Sequence, residues 1–268
     1  GRVAILELND PSHFNALSVE MASDMRAAAK WLAAQRDIPI NGVVLQGRGD
    51  HFCPGGNMYR KGASPTSLAA GARAAHDIFD GFCQLRTLPV PVVCAAHGTV
   101  LGGGLAICLL TDLVTCDDAA TFQVGERSRQ IYPAGLLTLT LAHAAGTDVA
   151  MQLYVAEDKL PSAHALEDGL VQAATSSVHD AQRLAYDLAR AFGSSVSEAV
   201  STVAADLRTL SRELPASERR ILATDAFAQA RSIDAKMTVS GGYVPTVVFT
   251  MNDDPQGRSR LRKTVLAA

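Results

Sequence analysis

The segment His97-Gly98-Thr99-Val100-Leu101-Gly102-Gly103-Gly104-Leu105-Ala106 decides the fold of this chain. It follows an apolar run at residues 91–96, which is typical of a buried strand, and it leads into an apolar helical pattern over residues 105–110. Glycine has no Cβ, so a ligand can approach the backbone closely, and the first turn of a helix has free N–H groups that stabilise negative charge. This order of strand, glycines and helix predicts one half of an oxyanion-binding site.

A second glycine loop offers the other half of such a site. A strand pattern at residues 43–46 precedes a loop over residues 47–57, which contains the pair Gly55-Gly56. Two N–H donors from separate loops, aimed at one carbonyl oxygen, suit enolate or tetrahedral-oxyanion chemistry. Taken singly, either loop is equally consistent with a glycine turn that only tightens a strand–helix junction.

Composition limits the class of protein. The chain has 268 residues, 48% hydrophobic residues and a formal net charge of −3. This charge argues against nucleic acid as a partner, and no apolar run has the length of a membrane span. The five cysteines show no spacing typical of a metal site, so we expect reduced thiols, no bound metal and a cytoplasmic location. The chain begins at Gly1, as expected of a trimmed protein or of one domain from a longer polypeptide.

Alternating strand and helix patterns predict an α/β fold with a mostly parallel sheet. Strands are predicted at residues 3–8, 43–46, 91–96, 113–116 and 120–123, and helices at residues 18–36 and 66–88. Beyond Gly135 the pattern is helical at residues 136–145, 147–155, 162–168, 178–191, 195–211 and 217–236, with a strand only at 170–173. We therefore expect a core over residues 1–190, a helical region over 191–240 and a tail over 241–268. Because residues 243–255 loosely resemble residues 3–11, this tail is also interpreted as the start of a further segment.

Seven pieces of this sequence, in order, resemble the crotonase (enoyl-CoA hydratase/isomerase) superfamily over residues 1–240. They are Asn9-Asp10-Pro11 with Asn15-Ala16-Leu17-Ser18, Phe52-Cys53-Pro54-Gly55-Gly56-Asn57, Pro91-Val92-Val93 leading to Leu101-Gly102-Gly103-Gly104, Asp112, Phe122-Gln123-Val124-Gly125-Glu126, Tyr132-Pro133-Ala134-Gly135, and residues 162–171.

The resemblance implies a crotonase-like spiral of ββα repeats with a C-terminal helical trimerisation region, assembled as a homotrimer or hexamer. It implies an acyl thioester substrate carried by coenzyme A or by an acyl carrier protein, with no separate cofactor. The thioester oxygen would lie between the N–H groups of Gly56 and Gly103. The resemblance further places five residues beside the substrate: Cys53, Met58, Tyr59, Ala106 and Tyr132.

The number of carboxylates bears on the reaction. Hydratases of this superfamily use two glutamates, and the matching positions here are Ala106 and Glu126. Water addition normally needs both a base and an acid, whereas a single carboxylate can move one proton between two carbons. We expect Glu126 to have a raised pKa in an apolar site and to catalyse enoyl isomerisation or the dehydration or hydration of 3-hydroxyacyl and enoyl thioesters.

Two alternatives stay open. Loss of carbon dioxide from a 3-carboxyacyl thioester, as in polyketide β-branching, needs only a stabilised enolate, with Arg60 or Lys61 near the leaving group. A thioester-binding domain without catalysis, within a larger synthase, is equally compatible with the missing carboxylate. The stretch Arg127-Ser128-Arg129-Gln130 is more polar than is usual in the superfamily, which favours a polar or carboxylated substrate.

Overall fold

A six-stranded sheet is the central element of the fold. The computed structural model describes residues 2–34, 40–56, 68–195 and 247–252. In this sheet the strands have the order β8-β5-β3-β2-β1-β9, and every pair is parallel except β1–β9. A second, three-stranded sheet has the order β4-β6-β7. The strands are β1 (Arg2–Leu8), β2 (Ile40–Gly47), β3 (Val92–Ala96), β4 (Thr99–Leu101), β5 (Leu113–Asp117), β6 (Thr121–Gln123), β7 (Leu160–Pro161), β8 (Ala173–Thr175) and β9 (Val247–Asn252).

Helices cover both faces of the large sheet. They are α1 (Val19–Ala34), α2 (Leu68–Cys83), α3 (Gly103–Cys108), α4 (Leu137–Ala145), α5 (Thr147–Ala156), α6 (Ser162–Glu167) and α7 (Val178–Ser195). All five residues of β3 are buried, which explains why this strand reads as a continuous apolar run. Val93 and Ala95 pack with Ala185 and Ala189 of α7, while Cys94 belongs to the main core on the other face.

The connection from β3 to β4 places the glycine segment between the two sheets. Gly98, at φ +56°, turns the chain between these strands, and a Cβ there would overlap the carbonyl oxygen of Asp50. Strand β4 then pairs with β6 in the small sheet and leads directly into α3. Two strands followed by a helix match the ββα unit implied by the resemblance. The mixed α/β architecture with a parallel sheet is confirmed.

Several element boundaries differ from the sequence predictions. Helix α2 ends at Cys83, a 3-10 turn over Gln84–Thr87 follows, and Leu88 is extended, as expected of the residue before Pro89. Helix α3 begins at Gly103, inside the glycine run, rather than after it. The strand expected at residues 170–173 begins only at Ala173, because Gly169 (φ +78°) turns the chain there.

The structure describes only part of the C-terminal region, so only some of the predictions for that region can be compared with it. The predicted helices at 195–211 and 217–236, and with them the expected trimerisation region, lie outside the described residues apart from Ser195, where α7 ends. Six residues of the predicted tail are described, and they form β9, antiparallel to β1 at the edge of the large sheet. These six residues therefore extend the sheet that β1 begins. The part of the chain that the structure describes contains no helix long and apolar enough to cross a membrane.

Asn15 joins the loop after β1 to the loop after β2. Its side chain is fully buried, its Oδ1 accepts the N–H of Asp10 at 2.9 Å, and its Nδ2 donates to the carbonyl oxygens of Arg48 and His51, both at 2.8 Å. Its backbone is left-handed at φ +61°, a conformation that asparagine tolerates better than most residues. One side chain thus fixes the start of the loop that contains Gly55 and Gly56.

We expect Asn15→Ala to lower the free energy of unfolding by about 1–3 kcal/mol, because it removes three part-buried hydrogen bonds to the backbone groups of Asp10, Arg48 and His51. Urea denaturation measures this loss. Asn9→Ala is the matched control, since the Asn9 side chain is not buried and meets only the guanidinium of Arg48, at 3.5 Å. A loss for Asn15→Ala no larger than that of the control would contradict this role.

Candidate active site

The loop with Gly55 is held on two sides by backbone hydrogen bonds. The N–H of Cys53 donates to the carbonyl oxygen of Thr99 at 3.3 Å, and the N–H of Leu101 donates to that of Cys53 at 3.2 Å. On the other side, the N–H of Leu17 donates to the carbonyl oxygen of Gly55 at 2.8 Å. The loop is therefore an extra strand-like segment between β4 and the residues before α1.

This loop lies against the start of α3 at a distance that only glycine permits. Gly55 has φ +89°, and a Cβ there would be 2.8 Å from the carbonyl oxygen of Leu101 and 3.1 Å from the nitrogen of Gly103. A Cβ on Gly104 would overlap the carbonyl group of Cys53. The two glycine loops that the sequence singles out are thus neighbours in space.

Two backbone N–H groups are available where these loops meet. Neither the N–H of Gly56 nor that of Gly103 donates a hydrogen bond to another of the described residues. Gly56 is exposed, and among the described residues no atom beyond its chain neighbours lies within 4 Å of where its Cβ would be. The Cβ position of Gly103 is enclosed, 3.0 Å from Leu17 Cδ1 and 3.3 Å from Phe79 Cζ.

Glu126 places a buried carboxylate beside the same helix start. Its residue is 5% exposed, and its Oε2 accepts the N–H of Gly125 at 2.8 Å. Its Oε1 lies 3.0 Å from the Cβ position of Gly102, the residue immediately before Gly103. The carboxylate therefore lies next to the glycine run, although Glu126 comes from the loop after β6.

Burial raises the pKa of the Glu126 carboxyl above its ordinary value, as the sequence analysis expects. The hydrogen bond from Gly125 and the guanidinium of Arg129 oppose this rise, while the carboxylate of Glu157 adds to it. The guanidinium of Arg129 donates to the carbonyl oxygen of Gly125. Glu126 is thus a partly desolvated acid, suited to accepting and returning a proton.

Glu157 anchors the loop that carries Glu126. It ends α5 in a left-handed conformation, and its carboxylate accepts the N–H of Ser128 at 3.0 and 3.1 Å. Its carbonyl oxygen accepts the side-chain amide of Gln123 at 2.6 Å. Desolvation is the largest single influence on Glu157 and raises its pKa, but the hydrogen bonds from Ser128 and Arg127 together outweigh it and lower the pKa of this carboxyl below its ordinary value.

Apolar groups meet where α2, α3 and the turn before α4 come together. Ala106, at the position of the first hydratase glutamate, is fully buried. Gly135 has φ +66°, and its Cβ position is 2.7 Å from Phe79 Cε1 and 3.1 Å from Ala106 Cβ. Phe79 and Ala106 thus meet Gly135 from two helices.

The other predicted substrate residues differ in their exposure to solvent, and the structure does not describe all of them. Cys53 is fully buried beneath the loop, its Sγ accepts the N–H of Gly55 at 3.4 Å, and burial raises the pKa of its thiol to about 12. Its side chain therefore supports the turn from the core side. Tyr132 is 70% exposed. Met58 and Tyr59, like Arg60 and Lys61, lie outside the described residues, so substrate contacts by these side chains stay predictions.

The sequence analysis assigned no role to Asn15, Phe79 or Glu157. Asn15 belongs to a quoted motif, but its partners are 33 and 36 residues away, so no local pattern reveals them. Phe79 is one apolar residue among many in the predicted helix, and Glu157 is one of several surface acids. In the described part of the chain, no group of three or more histidine, cysteine or acidic side chains is placed to hold a metal ion.

Known proteins of one family resemble this chain. The family model for enoyl-CoA hydratase/isomerase matches residues 1–240. A probable enoyl-CoA hydratase of Mycobacterium tuberculosis is 31% identical over 148 residues, which are 55% of this chain and 56% of that protein. The chain thus aligns with little more than half of this relative's length. A putative enoyl-CoA hydratase of Thermus thermophilus is 30% identical over 195 residues, 71% of this chain and 76% of that protein.

Solved structures share the fold. The enoyl-CoA hydratase of Bacillus anthracis has a TM-score of 0.72 at 22% identity, covering 88% of this chain and 89% of its own. A monofunctional enoyl-CoA isomerase of Mycobacterium smegmatis has a TM-score of 0.63 at 21% identity, covering 77% and 88%. With the family match over residues 1–240, these findings establish that the chain belongs to the enoyl-CoA hydratase/isomerase family of the crotonase superfamily.

Proposed function

We propose that this protein isomerises an enoyl thioester, carried by coenzyme A or an acyl carrier protein, by moving one proton with Glu126. The observation that carries this proposal is that, among the described residues, one buried carboxylate, that of Glu126, lies beside the glycine run, while Ala106 occupies the position of the other hydratase glutamate. The N–H groups of Gly56 and Gly103 bind the thioester oxygen. The names of the family relatives support an acyl-CoA substrate.

The two N–H groups make the proton at Cα removable. When Cα of a 3-enoyl thioester loses its proton, negative charge spreads from the chain onto the thioester oxygen as a dienolate. Donors already fixed in place stabilise this charge without reorganising, and losing one such donor typically slows a reaction about 10²–10³-fold. The hydrogen bonds from Leu17 and Leu101 that hold the loop supply this fixed geometry.

Glu126 carries out both proton transfers. Its carboxylate accepts the proton from Cα, and the resulting carboxylic acid returns it to Cγ, so the double bond moves into conjugation with the carbonyl. The raised pKa makes the carboxylate a stronger base and allows the protonated form to exist between the two steps. No water molecule or second acid enters the balance of this reaction.

Product analysis by mass spectrometry and chromatography tests the reaction. The protein is incubated with 3-enoyl, 3-hydroxyacyl and 3-carboxyacyl thioesters, each on coenzyme A and on a carrier protein. The proposal expects a shifted double bond from the first substrate. Loss of water from the second would instead indicate a dehydratase, loss of carbon dioxide from the third a decarboxylase, and no conversion a thioester-binding domain.

Glu126→Gln should reduce isomerisation by about 10²–10⁴-fold and leave KM nearly unchanged, because the amide keeps the shape of the side chain but cannot accept the proton. Steady-state kinetics measure both parameters. Glu167→Gln, on the exposed surface of α6, is the matched control and should retain full activity. Full turnover by Glu126→Gln would show that another group is the base.

The rate of isomerisation should increase with pH. Only the deprotonated carboxylate starts the reaction, so kcat/KM should rise with pH through the pKa of Glu126, which burial places above the ordinary 4.5. A pH–rate profile with the 3-enoyl thioester measures this limb. A flat profile down to the ordinary value would contradict the desolvated environment of Glu126.

Gly103→Val should impair both substrate binding and turnover. A side chain there meets Leu17 and Phe79, so the helix start has to move away from the substrate oxygen. Calorimetric binding of a substrate analogue and kinetics measure the two effects. Ala163→Val is the control, since Ala163 is exposed and, like Gly103, lies in the first turn of a six-residue helix. Retained activity in Gly103→Val would count against an oxyanion site at this position.

A further inference from the structure

We propose that Phe79 determines the outcome of the reaction: its ring fills the space beside Ala106 that a second carboxylate would need. The site therefore transfers a proton between carbons and does not add water. The preferred substrate is then an enoyl thioester with an apolar acyl chain around its β-carbon. This inference rests on the proposed isomerisation and assigns its specificity to one side chain of α2.

The ring of Phe79 spans the distance between two glycines of the site. Its Cζ lies 3.3 Å from the Cβ position of Gly103, and its Cε1 lies 2.7 Å from the Cβ position of Gly135. The ring thus runs from the helix start that carries a proposed oxyanion donor to the turn before α4. Phe79 is only partly buried, so part of the ring faces open space.

Ala106 reaches the same place from α3. It is three residues after Gly103, on the same face of the helix, and it is fully buried. Its Cβ lies 3.1 Å from the Cβ position of Gly135, the point that Phe79 Cε1 approaches at 2.7 Å. Because Ala106 and the Phe79 ring both border this one point, the longer side chain of a glutamate at position 106 would compete with the ring for the same space.

The backbone at Gly135 is consistent with the Phe79 ring lying beside Ala106. With φ +66°, Gly135 has a backbone conformation that side chains rarely adopt, and a Cβ there would also collide with the Phe79 ring. The turn before α4 therefore has a glycine, without a side chain, at the position that the Phe79 ring approaches. Ring, methyl group and glycine form one closely packed apolar wall.

This wall has a direct chemical consequence. Hydration of a 2-enoyl thioester requires a water molecule held and activated at the β-carbon, normally by a second carboxylate. An apolar wall offers such a water no hydrogen-bond partner, so its desolvation is not compensated. Glu126 is then left with the carbon-to-carbon proton transfer.

Five variants test the inference. They are the single variants Ala106→Glu, Phe79→Ala and Ile78→Ala, the double variant Phe79→Ala/Ala106→Glu and the matched control Ile78→Ala/Ala106→Glu. Ile78 is the neighbouring residue of α2 and is also partly buried against the core. Each variant is assayed for 3-hydroxyacyl product from a 2-enoyl-CoA and for its Tm.

We expect Ala106→Glu to lower Tm by roughly 3–10 °C through overpacking and to gain no hydration. In the double variant with Phe79→Ala, part of this loss is recovered, and hydration rises at least about tenfold over Ala106→Glu. In the control with Ile78→Ala, the losses of Tm add and no hydration appears. Should Ala106→Glu not fold, Ala106→Val replaces it for Tm, with the same recovery expected on adding Phe79→Ala.

The inference is overturned if Ala106→Glu alone hydrates as fast as its double variant, if the Tm losses with Phe79→Ala simply add, or if that double variant gains no hydration. Failure of the proposed function looks different. The unaltered protein would then give no shifted double bond from a 3-enoyl thioester, or Glu126→Gln would keep full isomerase activity, whatever the Tm coupling between positions 79 and 106.

Discussion

The close backbone contact between Gly55 and the start of α3 is the constraint on which the site depends. Two loops from different parts of the chain meet so closely that a single Cβ on Gly55 or Gly104 would push them apart. Hydrogen bonds to Leu17 on one side and to β4 on the other hold the contact from outside. Because backbone meets backbone, the N–H groups of Gly56 and Gly103 are set by the fold itself, without adjustable side chains.

Local patterns in the sequence predict the elements that form this contact but not the packing that secures it. The apolar run before Gly98, the glycine run and the Gly55-Gly56 pair all lie where predicted, since strand burial and glycine freedom are local properties. Asn15 and Phe79 escape prediction because their partners come from distant elements. The helix boundaries near Gly103 and Cys83 also depend on tertiary packing, which a periodic pattern does not encode.

Under the proposed function, the Glu126 carboxylate and the apolar wall contribute to the reaction in different ways. Burial disfavours the charged form of Glu126 and so strengthens it as a base, while the loop anchored by Glu157 keeps it beside the glycines. In the proposed reaction, Ala106 and Phe79 offer an attacking water no polar partner from their own side chains. The fold shared with hydratases and isomerases leaves this choice to a few side chains, because the oxyanion site stabilises the enolate of either reaction.

A crystal structure of the protein with a bound acyl-CoA thioester or a stable thioester analogue tests the central claim most directly. The account predicts the carbonyl oxygen within about 2.7–3.2 Å of the backbone nitrogens of both Gly56 and Gly103, with the Glu126 carboxylate facing Cα. A carbonyl oxygen bound elsewhere, or either N–H engaged with the protein's own groups while the ligand is present, would contradict it.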